Sequence, residues 1–374
     1  MAYRILTLSP GSTSTKVAVF EDGKSLMNAN VHHHPKDLSK FDRAVDQLDF
    51  RTNTVLAALD EAGIALDSID AFSGYCGGMG PTKGGIFAID ETVCDHVLNC
   101  GMNHPAILGA PILLALAKKH GKPAFAVNQP DTDELDDVAR ITGYPGVYRR
   151  SHVHCLNQKE CAIRLAEKLG KHYDEINAIV AHVGGGLSVA AHRHGAMIDT
   201  NDVLEGSGPF APNRSGDVPL APVVKLAFSG KLTQRDIMSV VGKTGGLKGL
   251  LGTDDAMEID RRIDAGDKWA ELVFDAMAYQ TTKAIGGFAA ALEGKVDGIV
   301  LTGGVSHDER FVAAVEHRVS WIAPVTVFAG DFEMEGAASG AVRALEGTEE
   351  VMTYTGKPTW AGFDLEGAPA DVEA

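Results

Sequence analysis

Basic residues are scarce in this chain. Its 374 residues include 34 lysines and arginines against 50 aspartates and glutamates, which gives a formal net charge of −16. Nucleic acids and anionic membranes select basic surfaces, so this balance argues against both as partners. If the substrate is an anion, a local site has to supply the positive charge that the chain as a whole lacks.

Cysteines and long apolar segments are scarce as well. The five cysteines are odd in number and form no CxxC pair, a pattern that fits a reduced cytosol and does not fit a zinc site. The longest apolar stretch, residues 105–117, is too short to span a bilayer, and the opening residues show no signal-peptide pattern. We therefore expect a cytoplasmic globular protein that is long enough for two domains.

A strand–turn–strand unit occurs twice in the sequence. In residues 3–20, apolar strands flank a turn that contains Gly11–Thr13, and the P-loop pattern GxxxxGK[ST] is not found there. The same order returns about half a chain later in residues 178–199, with Gly184–Gly186 as the turn. Repetition on this scale predicts two like-folded halves that face each other across a cleft.

Further glycine-rich segments predict contacts with anions. Glycine and small hydroxyl residues let a backbone approach an anion closely and present N–H and O–H donors to it. The turn Gly303–Gly304 follows an apolar strand and leads into a helix near Asp308, a junction suited to a nucleotide. The loop Gly77–Gly85, which contains Lys83, indicates either close approach to a ligand or a mobile flap.

Several polar residues are compatible with two interpretations. Arg214 lies among Gly, Pro and Ser residues and is as compatible with a solvated surface residue as with an anion clamp. His182, in an apolar strand, is compatible with a satisfied core residue, but the three glycines that follow favour a functional role. We interpret three other histidines as surface residues: His152, His192 and His194.

Six segments carry a family resemblance that runs from Tyr3 to about Glu346: SPGSTSTK, RSHVHCLNQK, HVGGG, LEGSGPFAPNRSGD, VLTGGVSHDERF and FEMEGAASGAVRAL. Together they resemble butyrate kinase, which belongs with acetate kinase in the sugar kinase/Hsp70/actin superfamily. The resemblance implies an α/β protein with duplicated actin-like (ribonuclease H-like) domains facing across a nucleotide cleft, and a homo-oligomer that is a dimer or larger.

The resemblance also implies domain limits and a reaction. We expect an N-terminal acceptor and phosphate domain over residues 1–150, a C-terminal nucleotide domain over residues 151–348 whose closing helix packs back on the first, and a loose tail over residues 349–374. The implied reaction uses ATP and Mg²⁺, and it reversibly phosphorylates a short aliphatic carboxylate such as butyrate to an acyl phosphate. ATP or ADP and a small carboxylate are therefore the expected partners.

The residue types suit that reaction, because a carboxylate that attacks the γ-phosphorus of ATP brings anions together and needs positioning and charge neutralisation. The resemblance assigns catalytic roles to His154, His182 and Arg214, a metal role to Glu333 and a substrate-side role to His104. The residues expected to contact nucleotide or phosphate are Gly11, Ser12, Thr13, Gly184, Gly185, Gly186, Gly303 and Gly304.

Three positions depart from the family pattern. Ser9 stands where the family has Asn, Asn128 stands where it has Asp, and Tyr75 (or Cys76, with a shift of one residue) stands where it has Arg. Tyr75, Asn128 and nearby Lys83 are therefore expected on the substrate side, and Lys83 offers a replacement charge. These departures leave two hypotheses, a working carboxylate kinase and a nucleotide-binding, catalytically weak or silent homologue with a regulatory or scaffold role.

Overall fold

A computed structural model describes residues 2–372 of the chain. The strands are β1 (Arg4–Pro10), β2 (Ser14–Glu21), β3 (Lys24–His32), β4 (Ala71–Gly74), β5 (Ile86–Ala88), β6 (Ala124–Val127), β7 (Asn177–Val183), β8 (Leu187–Arg193), β9 (Ala196–Thr200), β10 (Gly298–Gly303), β11 (Val325–Ala329) and β12 (Val351–Met352). They form one seven-stranded and one five-stranded sheet.

Helices connect and cover these strands. The α-helices are α1 (Pro35–Leu38), α2 (Leu48–Glu61), α3 (Glu91–Asn99), α4 (Gly109–His120), α5 (Asp137–Arg140), α6 (Cys155–Lys168), α7 (Leu220–Ala227), α8 (Gln234–Ser239), α9 (Gly246–Leu251), α10 (Ala256–Asp264), α11 (Lys268–Ala291), α12 (Glu309–Val319) and α13 (Glu333–Glu346). Single turns of 3₁₀ or π-helix lie at Ala44–Gln47, Leu66–Ser68, Pro105–Leu108, Tyr173–Glu175, Val240–Thr244 and Gly304–His307.

The two sheets repeat one topology, as the internal repeat predicts. The first has the order β12-β5-β6-β4-β1-β2-β3, and the second has the order β11-β10-β7-β8-β9. In each, an antiparallel three-strand meander is followed by two parallel strands, β4 and β6 in the first sheet and β10 and β11 in the second. The register shifts in the second hairpin of both meanders, at Val19/Phe20 and at Ala191/His192. The predicted α/β fold with a duplicated actin-like unit is confirmed.

The chain forms two compact units. The first runs through Asp133 and includes Phe332–Phe363, and the second comprises Glu134–Asp331 and the residues from Asp364 onward. In the first unit, α13 packs against β1, β4 and β6. A Cβ at Gly340 would lie 2.5 Å from Cγ1 of Val127, so glycine permits this close helix–sheet contact. The domain limits near residues 150 and 348 stay predictions.

The interpretation of residues 349–374 as a loose tail is wrong for the part that the structure describes. Val351–Met352 pairs in parallel with β5, and Tyr354 and Trp360 are buried. Farther along, Arg150 of the second unit pairs with Asp371 at 2.8 Å. A two-residue strand and isolated aromatic residues leave no periodic pattern in the sequence, which explains the error.

The strands that carry the candidate residues lie in the interior. Every residue of β7 is buried, which is typical of a strand with neighbours on both sides in a largely covered sheet. The strand is apolar except for Asn177 and His182, and His182 comes one residue before its end. Among the described residues, no helix is long and apolar enough to cross a membrane.

Candidate active site

Two histidines from different elements stack at the centre of the candidate site. His182 comes from β7, and His154 is the residue immediately before α6. Their ring centroids are 4.0 Å apart and their planes differ by 22°. The sequence predicted a role for each separately, and the structure brings them together in the second unit.

Hydrogen bonds fix the protonation of His182. Nδ2 of Asn157 donates to Nδ1 of His182 at 2.9 Å, so the ring proton lies on Nε2. Asn157 is held in turn by Thr302, whose hydroxyl donates to the carbonyl of Gly330 at 3.0 Å. Burial lowers the pKa of His182 to about 4, Asp331 opposes this shift, and Arg214 adds to it. His182 is therefore a neutral N–H donor at pH 7.

His154 is a second neutral donor. Gln158 donates to Oγ of Ser188 at 3.0 Å, so the Ser188 hydroxyl is free to donate to Nδ1 of His154, 2.9 Å away. This arrangement also leaves the ring proton on Nε2. Burial lowers the pKa of His154 well below its usual value, and the charge of Arg214 and any protonation of His182 act in the same direction. Among the described residues, neither Nε2 atom has a hydrogen-bond partner.

Arg214 completes the cluster with an unsatisfied donor. Its Nη1 atom is buried and is one of the side-chain atoms without a hydrogen-bond partner in the described part of the chain. Burial lowers the pKa of Arg214 and Asp202 raises it, and the guanidinium remains charged at pH 7. A buried guanidinium N–H without an acceptor is costly, and a phosphoryl or carboxylate oxygen would satisfy it.

The Gly184–Gly186 turn makes room for these side chains. A Cβ at Gly184 would lie 3.0 Å from Nε2 of His182, and a Cβ at Gly186 would lie 2.0 Å from Nη1 of Arg214. At Gly185 the Cβ would lie 3.0 Å from Nδ2 of Asn213. Glycine suits these positions because the side chains of His182, Asn213 and Arg214 occupy the space in which a methyl group would sit.

The two glycines at the end of β10 differ in role. Gly303 has φ +89°, and a Cβ there would lie 2.4 Å from the carbonyl oxygen of Val183, so backbone packing requires this glycine. At Gly304 no heavy atom lies within 4 Å of the position a Cβ would take. The predicted strand–glycine–helix junction is present, since a 3₁₀ turn over Gly304–His307 leads into α12 with Asp308 as its N-cap.

In the first unit, the β1–β2 turn contacts His104, one of the residues expected on the substrate side. Nδ1 of His104 accepts from the N–H of Ala106 at 3.2 Å, so Nε2 carries the proton and donates to Oγ of Ser12 at 2.9 Å. Ser12 and Thr13 are exposed at the turn, which Gly11 closes by donating to the carbonyl of Ser14 at 2.8 Å. Burial and the charge of Arg51 lower the pKa of His104.

The remaining substrate-side candidates have distinct environments. Asn128 is buried at φ +43°, and its Oδ1 accepts from the N–H of Gly85 at 2.8 Å. Cys76 lies in the hydrophobic core, and burial raises the pKa of its thiol, so Tyr75 is the more accessible of these two neighbouring residues. Lys83 is exposed.

Glu333 is the first residue of α13 and is half-buried in the first unit. Its carboxylate oxygens are of the kind that Mg²⁺ prefers, and Mg²⁺ bound with a nucleotide needs only one or two protein carboxylates. Its metal role stays a prediction.

The structure corrects one histidine assignment and qualifies a second. His192 is fully buried and contacts Tyr173 and Gln158, and burial lowers its pKa to about 3, so its placement on the surface is wrong. His152 is half-buried, with Nδ1 2.7 Å from the Asp202 carboxylate. His194 is exposed, as predicted. The sequence does not show which residues form hydrogen bonds with an isolated histidine in an apolar strand, so the burial of His192 could not be predicted.

Sequence reasoning also missed the residues that orient the site. Asn157, Gln158 and Ser188 fix the two catalytic candidates, but each occurs inside a segment whose pattern indicates only a helix or a strand. Their proximity to His182 and His154 arises from tertiary packing, which sequence spacing does not reveal.

The two repeated sheets define a protein of the actin-like class, and neutral N–H donors together with an unsatisfied guanidinium N–H are suited to binding a phosphoryl group. Residues 142–334 match the Acetokinase family. Two relatives described as probable butyrate kinase, from Clostridium botulinum strains Alaska E43 (type E3) and Eklund 17B (type B), are each 40% identical over 356 residues, which is 95% of this chain and all of each relative. The chain belongs to the acetokinase family, and these relatives place it with butyrate kinases.

Solved structures agree on the fold. The chain is similar to acetate kinase from Porphyromonas gingivalis, with a TM-score of 0.74 and 21% identity over 91% of this chain and 99% of that one. A propionate kinase from Francisella tularensis gives a TM-score of 0.69 at 18% identity over 90% of this chain and 98% of that one.

Proposed function

We propose that the protein is a carboxylate kinase that transfers the γ-phosphoryl group of ATP to a short aliphatic carboxylate such as butyrate, reversibly and with Mg²⁺. The observation that carries this proposal is the buried Nη1 atom of Arg214, which has no hydrogen-bond partner among the described residues, together with two neutral histidine N–H donors on which the charge of Arg214 acts. Family membership supports the same reaction class.

The chemistry needs donors and does not need a general base. A short carboxylate is ionised at pH 7, because carboxyl pKa values lie near about 4. One of its oxygens forms the new bond to the γ-phosphorus, while the bond from phosphorus to the β–γ bridging oxygen breaks and ADP leaves with that electron pair. No proton has to be removed, which accounts for histidines that are held neutral as N–H donors.

Each residue then has a defined part. Arg214 would bind oxygens of the transferring phosphoryl group or of the carboxylate with its planar fork, and Nε2–H of His154 and His182 would donate to equatorial oxygens. Glu333 would hold Mg²⁺ directly or through water, and the ion would neutralise charge on the phosphate oxygens when bound. The adenosine end would lie near Gly303–Gly304, and the phosphates near Gly184–Gly186.

The test of this proposal is the replacement of Arg214 by Lys, which keeps a charge but loses the fork. Losing one preorganised donor to transition-state charge costs on the order of 3 kcal/mol, so we expect turnover to fall about a hundredfold while Mg-ATP still binds. Arg318→Lys, at an exposed site in the second unit, is the control. Unchanged turnover in Arg214→Lys would contradict the assignment.

We also propose a homo-oligomer in the cytoplasm. Support comes from residues 218–240, where α7 and α8 have no buried residue and several apolar side chains are exposed, Phe228 by 88%. The segment carries Lys225, Lys231 and Arg235 in a chain of net charge −16, so it is suited to an acidic second copy. The cysteines are free, which fits a reduced compartment. Light scattering that finds a monomer at micromolar concentration would overturn the oligomer.

A further inference from the structure

Arg51 is a fully buried arginine beneath the β1–β2 turn, and the proposed mechanism does not use it. It lies in α2 with none of its surface exposed. Nη1 donates to the carbonyl of Ser14 at 2.7 Å and to Oγ1 of Thr15 at 3.0 Å. Nε and Nη2 both donate to Oε1 of Gln47, at 3.1 and 3.0 Å.

All of these partners are neutral. Among the residues that the structure describes, no carboxylate forms an ion pair with Arg51, and burial is the one influence that acts on its pKa, lowering it to about 10. The side chain therefore remains positively charged at pH 7. A buried charge without a counter-charge destabilises a fold, so an arginine at this place indicates a missing anionic partner.

The contacts of Arg51 shape the turn from inside. The carbonyl of Ser14 accepts from both Arg51 and the N–H of Gly11, which holds that carbonyl inward. Ser12 and Thr13 remain exposed at the turn, and the Ser12 hydroxyl, which accepts from His104, can still donate its own proton. A turn with its carbonyl held inward and its small hydroxyl residues outward is suited to an anion.

The charge of Arg51 also acts on the side chains around the turn. It lowers the pKa of His104, which donates to Ser12, and it lowers the pKa of His33, whose Nε2 lies 2.8 Å from Oγ1 of Thr15. His32 lowers and Asp37 raises the pKa of His33 to a lesser degree. Arg51 is the charged group that acts on His104, so the positive potential extends to the exposed side of the turn.

We propose that Arg51 is a positioning residue that supplies the buried counter-charge for a phosphoryl or carboxylate anion bound at the Gly11–Ser14 turn. This inference rests on the proposed function and on the expectation from the sequence that Gly11, Ser12 and Thr13 contact nucleotide or phosphate. In this acidic chain, Arg51 would supply positive charge to the anion-binding turn from the buried side of the backbone. Its side chain would not contact the substrate.

The test uses inorganic phosphate as the probe and the NMR titration of His104 as the readout, in the full-length protein. In the wild type we expect bound phosphate to raise the pKa of His104, because an anion stabilises the imidazolium. Arg51→Met should raise the pKa of His104 without phosphate and weaken phosphate binding at least tenfold. Arg51→Lys keeps the charge and should bind phosphate within about threefold of the wild type.

Gln47→Leu is the matched control, since it removes the neutral contact and leaves the charge. We expect phosphate binding in this variant to stay within about threefold of the wild type. Equal weakening by Gln47→Leu and Arg51→Met would overturn the inference, because it would show a structural role alone. If Arg51→Met does not fold, a folded Arg51→Lys that loses phosphate binding tenfold would overturn it as well.

Failure of this inference is separable from failure of the proposed function. Acyl phosphate formation is measured on the same wild-type preparation. Turnover in the wild type with no response of His104 to millimolar phosphate would overturn the role of Arg51 and leave the kinase assignment standing. A response of His104 to phosphate without turnover would contradict the kinase assignment and leave the role of Arg51 standing.

Discussion

At the residue scale, neutral histidines shape the site and also the dependence of stability on pH. His154, His182 and His192 all have pKa values that burial lowers. In the unfolded chain these histidines take up protons as the pH falls below about 6.5, whereas in the folded chain they do not. The free energy of unfolding therefore decreases on acidification between about pH 6.5 and the folded-state pKa values.

His192 allows this to be tested at a residue without a proposed catalytic role. It contacts Tyr173 and Gln158, and burial lowers its pKa to about 3. Each such histidine contributes a slope of about 1.4 kcal/mol per pH unit below its unfolded pKa. We expect His192→Gln to lower stability at pH 7.5 but to flatten its decline between pH 6 and 4.5. Urea unfolding across that range measures the slope, and His194→Gln at an exposed position is the control. An unchanged slope in His192→Gln would contradict the neutral assignment.

The departures from the family pattern are also a matter of single residues. With Ser9, Tyr75 and Asn128 in place of Asn, Arg and Asp, we expect weak turnover with ordinary short carboxylates and intact nucleotide binding. Asn128→Asp keeps a side-chain oxygen at the position that accepts from the N–H of Gly85.

The triple variant Ser9→Asn, Tyr75→Arg, Asn128→Asp should raise turnover by about a hundredfold or less, because losses within one network are not additive. Steady-state kinetics with butyrate, beside Lys83→Ala, is the measurement. Family-like turnover in the wild type that neither variant changes would show that these positions do not carry the chemistry.

At the scale of elements, a substitution at Gly304 allows nucleotide binding to be tested without a change in packing. A Cβ there meets no protein atom, whereas one at Gly303 meets the backbone of Val183. We expect Gly304→Ala to keep its melting temperature within about 2 °C and to weaken Mg-ATP binding several-fold, as measured by calorimetry. Gly287→Ala, in α11 with open space around it, is the control. Unaltered binding in Gly304→Ala would contradict placement of the nucleotide there.

Elements whose pattern is local could be predicted from the sequence. Alternating apolar residues and glycine turns indicated both meanders, and the junction after β10 followed from the apolar strand, Gly303–Gly304 and the helix pattern near Asp308. The pairing of β12 with β5, the burial of Arg51 and the Asn157–His182 contact could not be predicted. Each depends on residues distant in the chain, and a polar residue in a helix pattern gives no indication of what tertiary packing places against it.

At the scale of the whole molecule, a duplicated fold supplies two glycine turns that end two equivalent hairpins. The turn of the second unit is crowded by His182, Asn213 and Arg214, and the turn of the first is supported from below by Arg51. The two equivalent turns therefore have different sources of positive charge, Arg214 in the second unit and Arg51 in the first. The net charge of −16 makes such local concentrations necessary for an anionic substrate.

The most direct test of the central claim is acyl phosphate formation by the purified protein. Mg-ATP and butyrate are incubated with the wild type and with hydroxylamine, which traps the acyl phosphate as a hydroxamate, and Arg214→Ala serves as the blank. We predict hydroxamate above the blank with butyrate or another short carboxylate in the panel. Bound Mg-ATP with no hydroxamate from any carboxylate would contradict the account and would favour a nucleotide-binding protein without catalytic activity.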